Sequence, residues 1–188
     1  MQLIDLYDYL DISLKESSDN VILLSGTSDE IPYNEKNLVY KAAELFIKNT
    51  GISGYEISVH ITKNIPVAAG LAGGSTDAAG MLYGLNKLFN TPLNQKQLEN
   101  LCAQLGSDLN VCLNGGCLLA TSRGENTKKL PAVQMPVTLI KPKNLGISAK
   151  EAYTKYSLKK NKPQNNMTEK MIDTLEKGEN IKEFLYND

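Results

Sequence analysis

A stretch of small residues at positions 66–80 has the composition of a loop that binds phosphate groups. Gly70, Gly73 and Gly74 permit positive φ angles and remove the Cβ atoms that would keep a ligand away from the main chain. Successive amides in such a turn can form a concave anion site, and the start of a following helix adds unpaired N–H groups and a positive dipole end. A serine and a threonine follow directly and add hydroxyl groups. The predicted chemistry is therefore the binding of a polyphosphate.

Two familiar phosphate-binding motifs do not describe this turn. No Gly-Lys-Ser/Thr follows the glycines, which excludes a Walker A loop, and Gly70-Leu71-Ala72 breaks the Gly-x-Gly of the dinucleotide fingerprint. No strand–helix–strand unit is evident around the turn either. A tight strand-to-helix turn, whose small residues only allow close packing, remains the alternative interpretation.

The elements on either side of the turn can be predicted from the periodicity of their apolar residues. Apolar and polar residues alternate from Tyr55 to Thr62, which indicates a half-buried strand with His60 on its polar, solvated face. From Ser75 onward alanines and leucines recur at helical spacing, and alanine is the best helix former. The turn is therefore expected to join the end of a strand to the start of a helix.

Other segments carry weaker signals of the same kinds. Asn37 is expected to begin a helix that ends near Gly51, and a capping box of Asn94 and Gln97 begins another that ends at Gly106. The mixture of strands and helices without strict alternation favours an α+β domain. The remaining predictions are strands at Leu3–Leu14, Val21–Leu24, Leu118–Ala120 and Val137–Ile140, a polar connector at 159–166, and helical pieces at Thr168–Lys177 and Ile181–Leu185.

Composition excludes several classes of function. The formal net charge is −1, so a strongly basic face for nucleic acid is not indicated. No apolar run approaches the roughly 20 residues that span a bilayer. Cys102, Cys112 and Cys117 are odd in number and unevenly spaced, and His60 is the single histidine, so neither a disulfide framework nor a His-rich metal site is expected. The cysteines are expected to be reduced and buried, as in a reducing compartment.

The turn and its flanks resemble the second motif of the GHMP kinases, named after galacto-, homoserine, mevalonate and phosphomevalonate kinases. This resemblance runs through Ile61–Pro66 and Gly70–Ala79. A second block, Gln104–Asp108, is similar to the Leu-Gly-Ala/Ser-Asp segment of the branch that phosphorylates 4-diphosphocytidyl-2-C-methyl-D-erythritol. The resemblance covers nearly the whole chain, with shorter matches at Asn37-Leu38, Ala42-Ala43, Leu85-Asn86, Asn114–Gly116 and Ala120–Glu125.

This resemblance implies a two-domain α+β fold of the ribosomal protein S5 domain 2-like type. Residues 1–145 would form the N-terminal, ATP-binding domain without its first strands, and 146–188 a linker and an incomplete C-terminal domain. The cofactors would be ATP and Mg²⁺, and the substrate a small molecule, the cytidine diphosphate-linked methylerythritol, phosphorylated at its C2 hydroxyl. Neither nucleic acid nor a membrane is an expected partner. The compartment would be a bacterial cytoplasm or a plastid.

The family's functional positions map onto particular residues of this sequence. Asp108 would be the catalytic base, Tyr153 would stack on the cytosine ring, and Ser75 would bind Mg²⁺. Each of four positions also has a plain structural alternative: a helix cap for Asp108 and for Asn37, an exposed lysine for Lys63, and a core tyrosine for Tyr153. The implied nucleotide-binding residues are Asn37, Lys63, Pro66, Ala68, Ala69, Gly70, Leu71, Ala72, Gly73, Gly74, Ser75 and Thr76.

The sequence departs from the family's pattern in three ways. It has no counterpart of the family's Ala-Lys-(Ile/Leu)-Asn strand with its Asp-Gly-Tyr-His segment, and none of the third, glycine-serine-rich motif. Asn110 stands where the family has a proline. The expectation is a chain truncated at both ends, whose own capacity for turnover is open. The competing interpretations are a non-catalytic nucleotide-binding or interaction protein on the same fold, and a sibling kinase acting on homoserine or mevalonate, which leaves Gly106–Asp108 unexplained.

Overall fold

The computed structural model of the chain describes residues 1–142, 149–158 and 166–185. Helices and strands are mixed along the chain, which confirms the predicted α+β class. A 3₁₀ turn at Lys182–Phe184 follows the last helix. In chain order the elements are β1 (Tyr9–Glu16), β2 (Val21–Gly26), α1 (Leu38–Thr50), β3 (Tyr55–Thr62), α2 (Gly73–Leu88), α3 (Gln95–Leu105), α4 (Leu109–Asn114), β4 (Cys117–Thr121), β5 (Asn126–Leu130), α5 (Ala149–Ser157) and α6 (Met167–Glu176).

The main sheet has three strands in the order β1-β3-β2, so β3 is the central strand. It runs antiparallel to β1, with Tyr9 opposite Thr62, and parallel to β2, with Val21 opposite Glu56. The parallel pair means that β2, α1 and β3 form a strand–helix–strand unit, which the sequence analysis did not find. A second sheet consists of the antiparallel pair β4 and β5.

The core lies between one face of the main sheet and helices α1 to α4. On β3 the apolar positions Ile57, Val59 and Ile61 are buried, whereas His60 points to the opposite, exposed face. This alternation follows from the period of two along a strand. Small residues on both helices, Ala42 and Ala43 on α1 and the alanines 78–79 on α2, are also fully enclosed. They allow the two helices to approach each other closely.

Several predicted helix ends are confirmed atom by atom. Asn37 Oδ1 accepts a hydrogen bond from the Val39 amide at 2.9 Å, and Gly51 ends α1 with a φ of +70°. The capping box before α3 has both of its hydrogen bonds, with Asn94 and Gln97 as partners. Side-chain caps of this kind are local in sequence, which is why they could be found without the fold.

Two predicted strands differ from the structure because strands need partners that the local sequence does not show. The strand expected at Leu3–Leu14 begins only at Tyr9, since the residues before it bond elsewhere: Leu3 N donates to Gly116 O at 3.0 Å. The strand expected at Val137–Ile140 is absent, and Ile140 is 90% exposed. The short elements α4 and β5 were not predicted. Most of the predicted polar connector, residues 159–165, lies outside the described residues.

Two further expectations concern the state of the cysteines and the presence of helices long enough to span a membrane. All three cysteines are free; Cys102 and Cys117 are buried, whereas Cys112 is only partly so. Among the described residues, no helix combines the length and the apolar content that crossing a membrane requires.

Asn86 holds the connection between α2 and α3, and its replacement tests how the core is assembled. Its side chain is 2% exposed and bonds both the amide and the carbonyl of Leu93 at 2.9 Å. Asn86→Ala should lower the free energy of unfolding by about 2–4 kcal/mol, because two buried backbone groups lose their partners. Chemical denaturation measures the change. The control is Asn49→Ala at an exposed position, whose free energy of unfolding is expected within about 0.5 kcal/mol of the wild-type value. Equal losses of stability in the two variants would contradict a structural role of the Asn86 side chain.

Candidate phosphate-binding site

The glycine-rich turn joins the end of β3 to the start of α2, as predicted. Its left-handed residues alternate: Ala68 and Ala72 have a φ of +54° and Gly70 a φ of +72°. The expectation that all three glycines supply positive φ is correct only for Gly70. Turns that place every second residue in the left-handed region turn successive N–H groups toward one side, which is the geometry of an anion-binding concavity.

Gly73 is required for a different reason, namely space. A Cβ atom at this position would lie 3.0 Å from Ile65 Cγ2 and 3.1 Å from Lys63 Nζ. The first residue of α2 therefore packs directly against the residues that leave β3. A side chain at position 73 would push the helix start away from the sheet.

The start of α2 offers uncapped amide groups. Its N-cap residue is Ala72, which has no side-chain acceptor, and the first intrahelical bond runs from Thr76 N to Ala72 O at 2.9 Å. The preceding amides of an α-helix have no partner within the helix. Together with the positive end of the helix dipole they favour an anion at this position.

A cleft of about 320 Å³ lies along the turn. All the predicted nucleotide-binding residues line it except Ser75 and Thr76. Its wall also contains Ile31, Lys36 and Asp77, which were not predicted as site residues although Lys36 precedes Asn37 and Asp77 follows Thr76 in the chain. Asn37 lines the cleft, but its side chain also caps α1 and donates to Pro32 O at 2.7 Å. The helix-cap alternative for Asn37 is therefore correct as a structural role.

Lys63 is not the exposed lysine of the alternative interpretation. Its ammonium group pairs with the carboxylates of Asp8 and Asp77, the latter at 3.0 Å, and its side chain is only 5% exposed. Asp8 Oδ1 also accepts hydrogen bonds from the amides of Asn64 and Ile65, at 2.6 and 2.8 Å. Neither carboxylate was predicted as a site residue, although Asp77 lies within the stretch Gly70–Ala79 that carries the family resemblance. We call Asp8, Lys63 and Asp77 the buried triad.

The triad shifts the pKa of each of its members. Burial works to lower the pKa of Lys63, but the hydrogen bonds to Asp8 and Asp77 outweigh it and raise the pKa. Burial works to raise the pKa of Asp8, but the bonds from Lys63 and two backbone amides outweigh it and lower the pKa. Burial raises the pKa of Asp77 to about 6 against the opposing effect of Lys63. Asp77 Oδ1 is buried and, within the described part of the chain, has no hydrogen-bond partner.

Asp108 occupies the N-cap position of α4, but its side chain makes no capping hydrogen bond. The structure therefore does not support the cap alternative in its usual form. Asp108 is half-buried, and its charge, after the larger effect of burial, helps to raise the pKa of Cys112 one turn later. Asn110, the departure from the family's proline, lies in the first turn of α4, and its Nδ2 donates to Glu125 O at 2.9 Å. A proline is tolerated in that turn because its amide would have no helical partner.

A second cleft, of about 550 Å³, lies on the other side of the turn. It is bounded by residues 1–7, by Gly70–Ala72 and by Thr76 and Cys112. Thr76 Oγ1 and Cys112 Sγ are 3.4 Å apart, so α4 packs against the first turn of α2. The glycine-rich turn thus forms a wall between two clefts. Asp108 is not among the residues that line either of them.

The remaining predicted positions are less closely associated with the clefts. Tyr153 lies on α5 and is 75% exposed, so the core-tyrosine alternative is wrong; it lines neither cleft. Ser75 is half-buried in the first turn of α2. Within the described ranges, no three His, Cys, Asp or Glu side chains are clustered so as to hold a metal ion.

The raised pKa of Asp77 predicts a specific pH dependence of stability. Between its usual value of 3.8 and about 6, the folded protein binds a proton that the unfolded chain does not. This contribution therefore stabilises the fold as the pH falls from about 7.5 to about 4.5. The melting temperature of the wild type, measured relative to Asp77→Asn, should rise by several degrees over this range. If the difference in melting temperature between the two proteins does not change with pH, the raised pKa of the buried Asp77 carboxyl is contradicted.

Comparison with known proteins identifies the domain. Residues 37–118 match the family model described as the GHMP kinases N terminal domain. The 4-diphosphocytidyl-2-C-methyl-D-erythritol kinase of Caldicellulosiruptor bescii is 42% identical over 188 residues, which are 100% of this chain and 64% of that protein. The enzyme of the same name from Clostridium botulinum is 41% identical over 189 residues, with coverages of 100% and 64%. The chain thus spans 64% of the length of these relatives.

Solved structures give the same result for the fold. A crystal structure of 4-(cytidine 5'-diphospho)-2C-methyl-D-erythritol kinase superposes with a TM-score of 0.64 at 27% identity, covering 92% of this chain and 59% of that one. Homoserine kinase from Cytophaga hutchinsonii superposes with the same TM-score at 19% identity, covering 91% and 59%, and so shares the fold. The family model, taken together with the turn and the relatives, shows that residues 37–118 of this chain form a GHMP kinases N terminal domain.

Proposed function

We propose that this chain forms the ATP-binding part of a kinase that phosphorylates the C2 hydroxyl of 4-diphosphocytidyl-2-C-methyl-D-erythritol. The observation that carries the proposal is the turn itself, whose alternating left-handed residues lead into the uncapped start of α2 beside a 320 Å³ cleft. The substrate is suggested by the relatives of that name at 41–42% identity. Residues 1–145 would be the nucleotide-binding domain and 146–188 the start of a second domain.

The chain's contribution to phosphoryl transfer would be chiefly positioning and charge stabilisation. Gly70–Thr76 would bind the phosphate groups through main-chain amides and the hydroxyls of Ser75 and Thr76. Bound ATP would supply the γ-phosphoryl group, with Mg²⁺ neutralising charge on the phosphates. Mg²⁺ commonly takes few protein ligands besides phosphates and water, so the Ser75 hydroxyl in the first turn of α2 is compatible with it, although the described residues contain no carboxylate cluster.

Asp108 would be the general base. It would accept the proton of the substrate's C2 hydroxyl while that oxygen bonds to the γ-phosphorus and the bond between this phosphorus and the β,γ-bridging oxygen breaks. A half-buried carboxylate that makes no capping hydrogen bond suits this role, because a cap would compete with the substrate hydroxyl for its oxygens. Tyr153 is proposed to stack on the cytosine ring, and its exposed ring is free of the core for that purpose.

Lys36 is the exposed cation in the wall of the cleft, and its removal tests nucleotide binding. Lys36→Ala should weaken Mg·ATP binding about three- to ten-fold, with a loss that shrinks at high salt, because a single exposed charge contributes modestly and is screened. Titration calorimetry gives the dissociation constants. Lys48→Ala, an exposed lysine of α1 outside the cleft, is the control and should bind like the wild type.

Asp108→Asn tests the catalytic half of the proposal. Transfer of phosphate from Mg·ATP to the cytidine substrate, followed by phosphorus NMR, should fall about 10²–10⁴-fold, while the dissociation constant of ATP stays unchanged. Asp19→Asn, in an exposed loop, should transfer phosphate at the wild-type rate. Equal rates of phosphate transfer by the two variants would refute the proposal that Asp108 is the general base. ATP binding by the wild type without any transfer would support the non-catalytic interpretation of this chain.

A further inference from the structure

The buried triad connects three segments that meet at the phosphate cradle, defined as Gly70–Thr76. Asp8 precedes β1, Lys63 follows β3, and Asp77 lies on the second turn of α2. The side chains of Asp8 and Asp77 are 1% and 5% exposed. An interaction enclosed to this degree is poorly screened by water, so its geometry is held far more tightly than that of a surface pair.

We propose that Lys63 is a positioning residue: through Asp8 and Asp77 it fixes the start of α2 against the end of β3, and it does not itself contact the nucleotide. This inference extends the proposed function, since the segment that it positions is the proposed phosphate cradle. It differs from the role that family resemblance assigns to position 63, which is contact with the nucleotide.

The charge of the triad disfavours contact between Lys63 and a phosphate group. One ammonium between two carboxylates leaves the triad with a net charge of −1 when both acids are ionised. Lys63 Nζ can donate three hydrogen bonds, and two of them go to Asp8 and Asp77. A phosphate group would have to compete with both carboxylates for this cation. The triad as a whole therefore does not attract a polyphosphate.

The hydrogen bonds of the triad tie Lys63 to the chain segments on both sides of it. Asp8 Oδ2 bonds Lys63, while Oδ1 accepts from the Asn64 and Ile65 amides, so both oxygens of this carboxylate hold the chain that leaves β3. On the other side, Asp77 Oδ2 joins the ammonium to α2. Gly73 leaves just enough room for the ammonium, since a Cβ there would lie 3.1 Å from Nζ. The direction of the first amides of α2 is thereby tied to the position of Lys63.

The test uses two variants that separate positioning from direct contact. Lys63→Met removes the ammonium and leaves two buried carboxylates unpaired, which should displace the helix start. The triple variant Asp8→Asn, Lys63→Met, Asp77→Asn removes the same ammonium but leaves no buried charge and nearly the same volume. The matched control is Lys96→Met, which breaks the exposed pair with Glu99.

Two measurements are made on the full chain: the amide NMR signals of Gly73–Thr76 without ligand, and the dissociation constant of Mg·ATP. We expect Lys63→Met to displace these signals and to weaken binding at least about ten-fold. The triple variant should restore the signals and bind within about three-fold of the wild type. Lys96→Met should change neither measurement.

Two results would overturn the inference. One is a triple variant with native-like signals whose binding remains ten-fold weaker or more, because the ammonium itself would then contact the nucleotide. The other is a Lys63→Met variant whose signals at 73–76 do not move. If Lys63→Met fails to fold, the triple variant alone decides. If the wild type does not bind Mg·ATP, the proposed function fails, whereas the ligand-free signals still test the positioning.

Discussion

One buried ammonium group holds together the three segments that converge on the glycine-rich turn. Lys63 pairs with a carboxylate before β1 and another on α2, and all three side chains are almost fully enclosed. Removing one partner of a buried ion pair is costly because the remaining charge stays buried without an opposite charge beside it. We infer that this arrangement constrains the angle between the sheet and α2 in addition to the apolar packing of the core.

The turn between these anchors is strained as well as tightly placed. Ala68 and Ala72 both adopt left-handed backbone angles, at a cost on the order of 1–3 kcal/mol each. Such conformations persist only where the surroundings over-determine them, and here β3 fixes one end of the turn and α2 the other. The result is a row of main-chain groups whose direction is set before any ligand arrives. For the proposed phosphate site, a preformed turn of this kind avoids the cost of ordering a loop on binding.

The fold by itself does not distinguish the members of this family. A homoserine kinase superposes as well as a methylerythritol kinase does, although only 19% of its aligned residues are identical. Both clefts share the glycine-rich turn as a wall. We propose that differences in substrate come from residues at the edges of the clefts, such as residues 1–7.

Much of the local structure could be predicted from the sequence by itself: β3 from its alternation, α1 and α3 from their caps, and the family from the glycine-rich turn. These signals lie within a few residues of one another, where periodicity and capping operate. Tertiary structure alone decided what needs distant partners. It placed Asp8 and Asp77 on Lys63 across 55 and 14 residues, and it left Val137–Ile140 unpaired. The physical reason is that burial and pairing of a charge or a strand depend on which chain segments meet in space, and no short window of sequence contains that information.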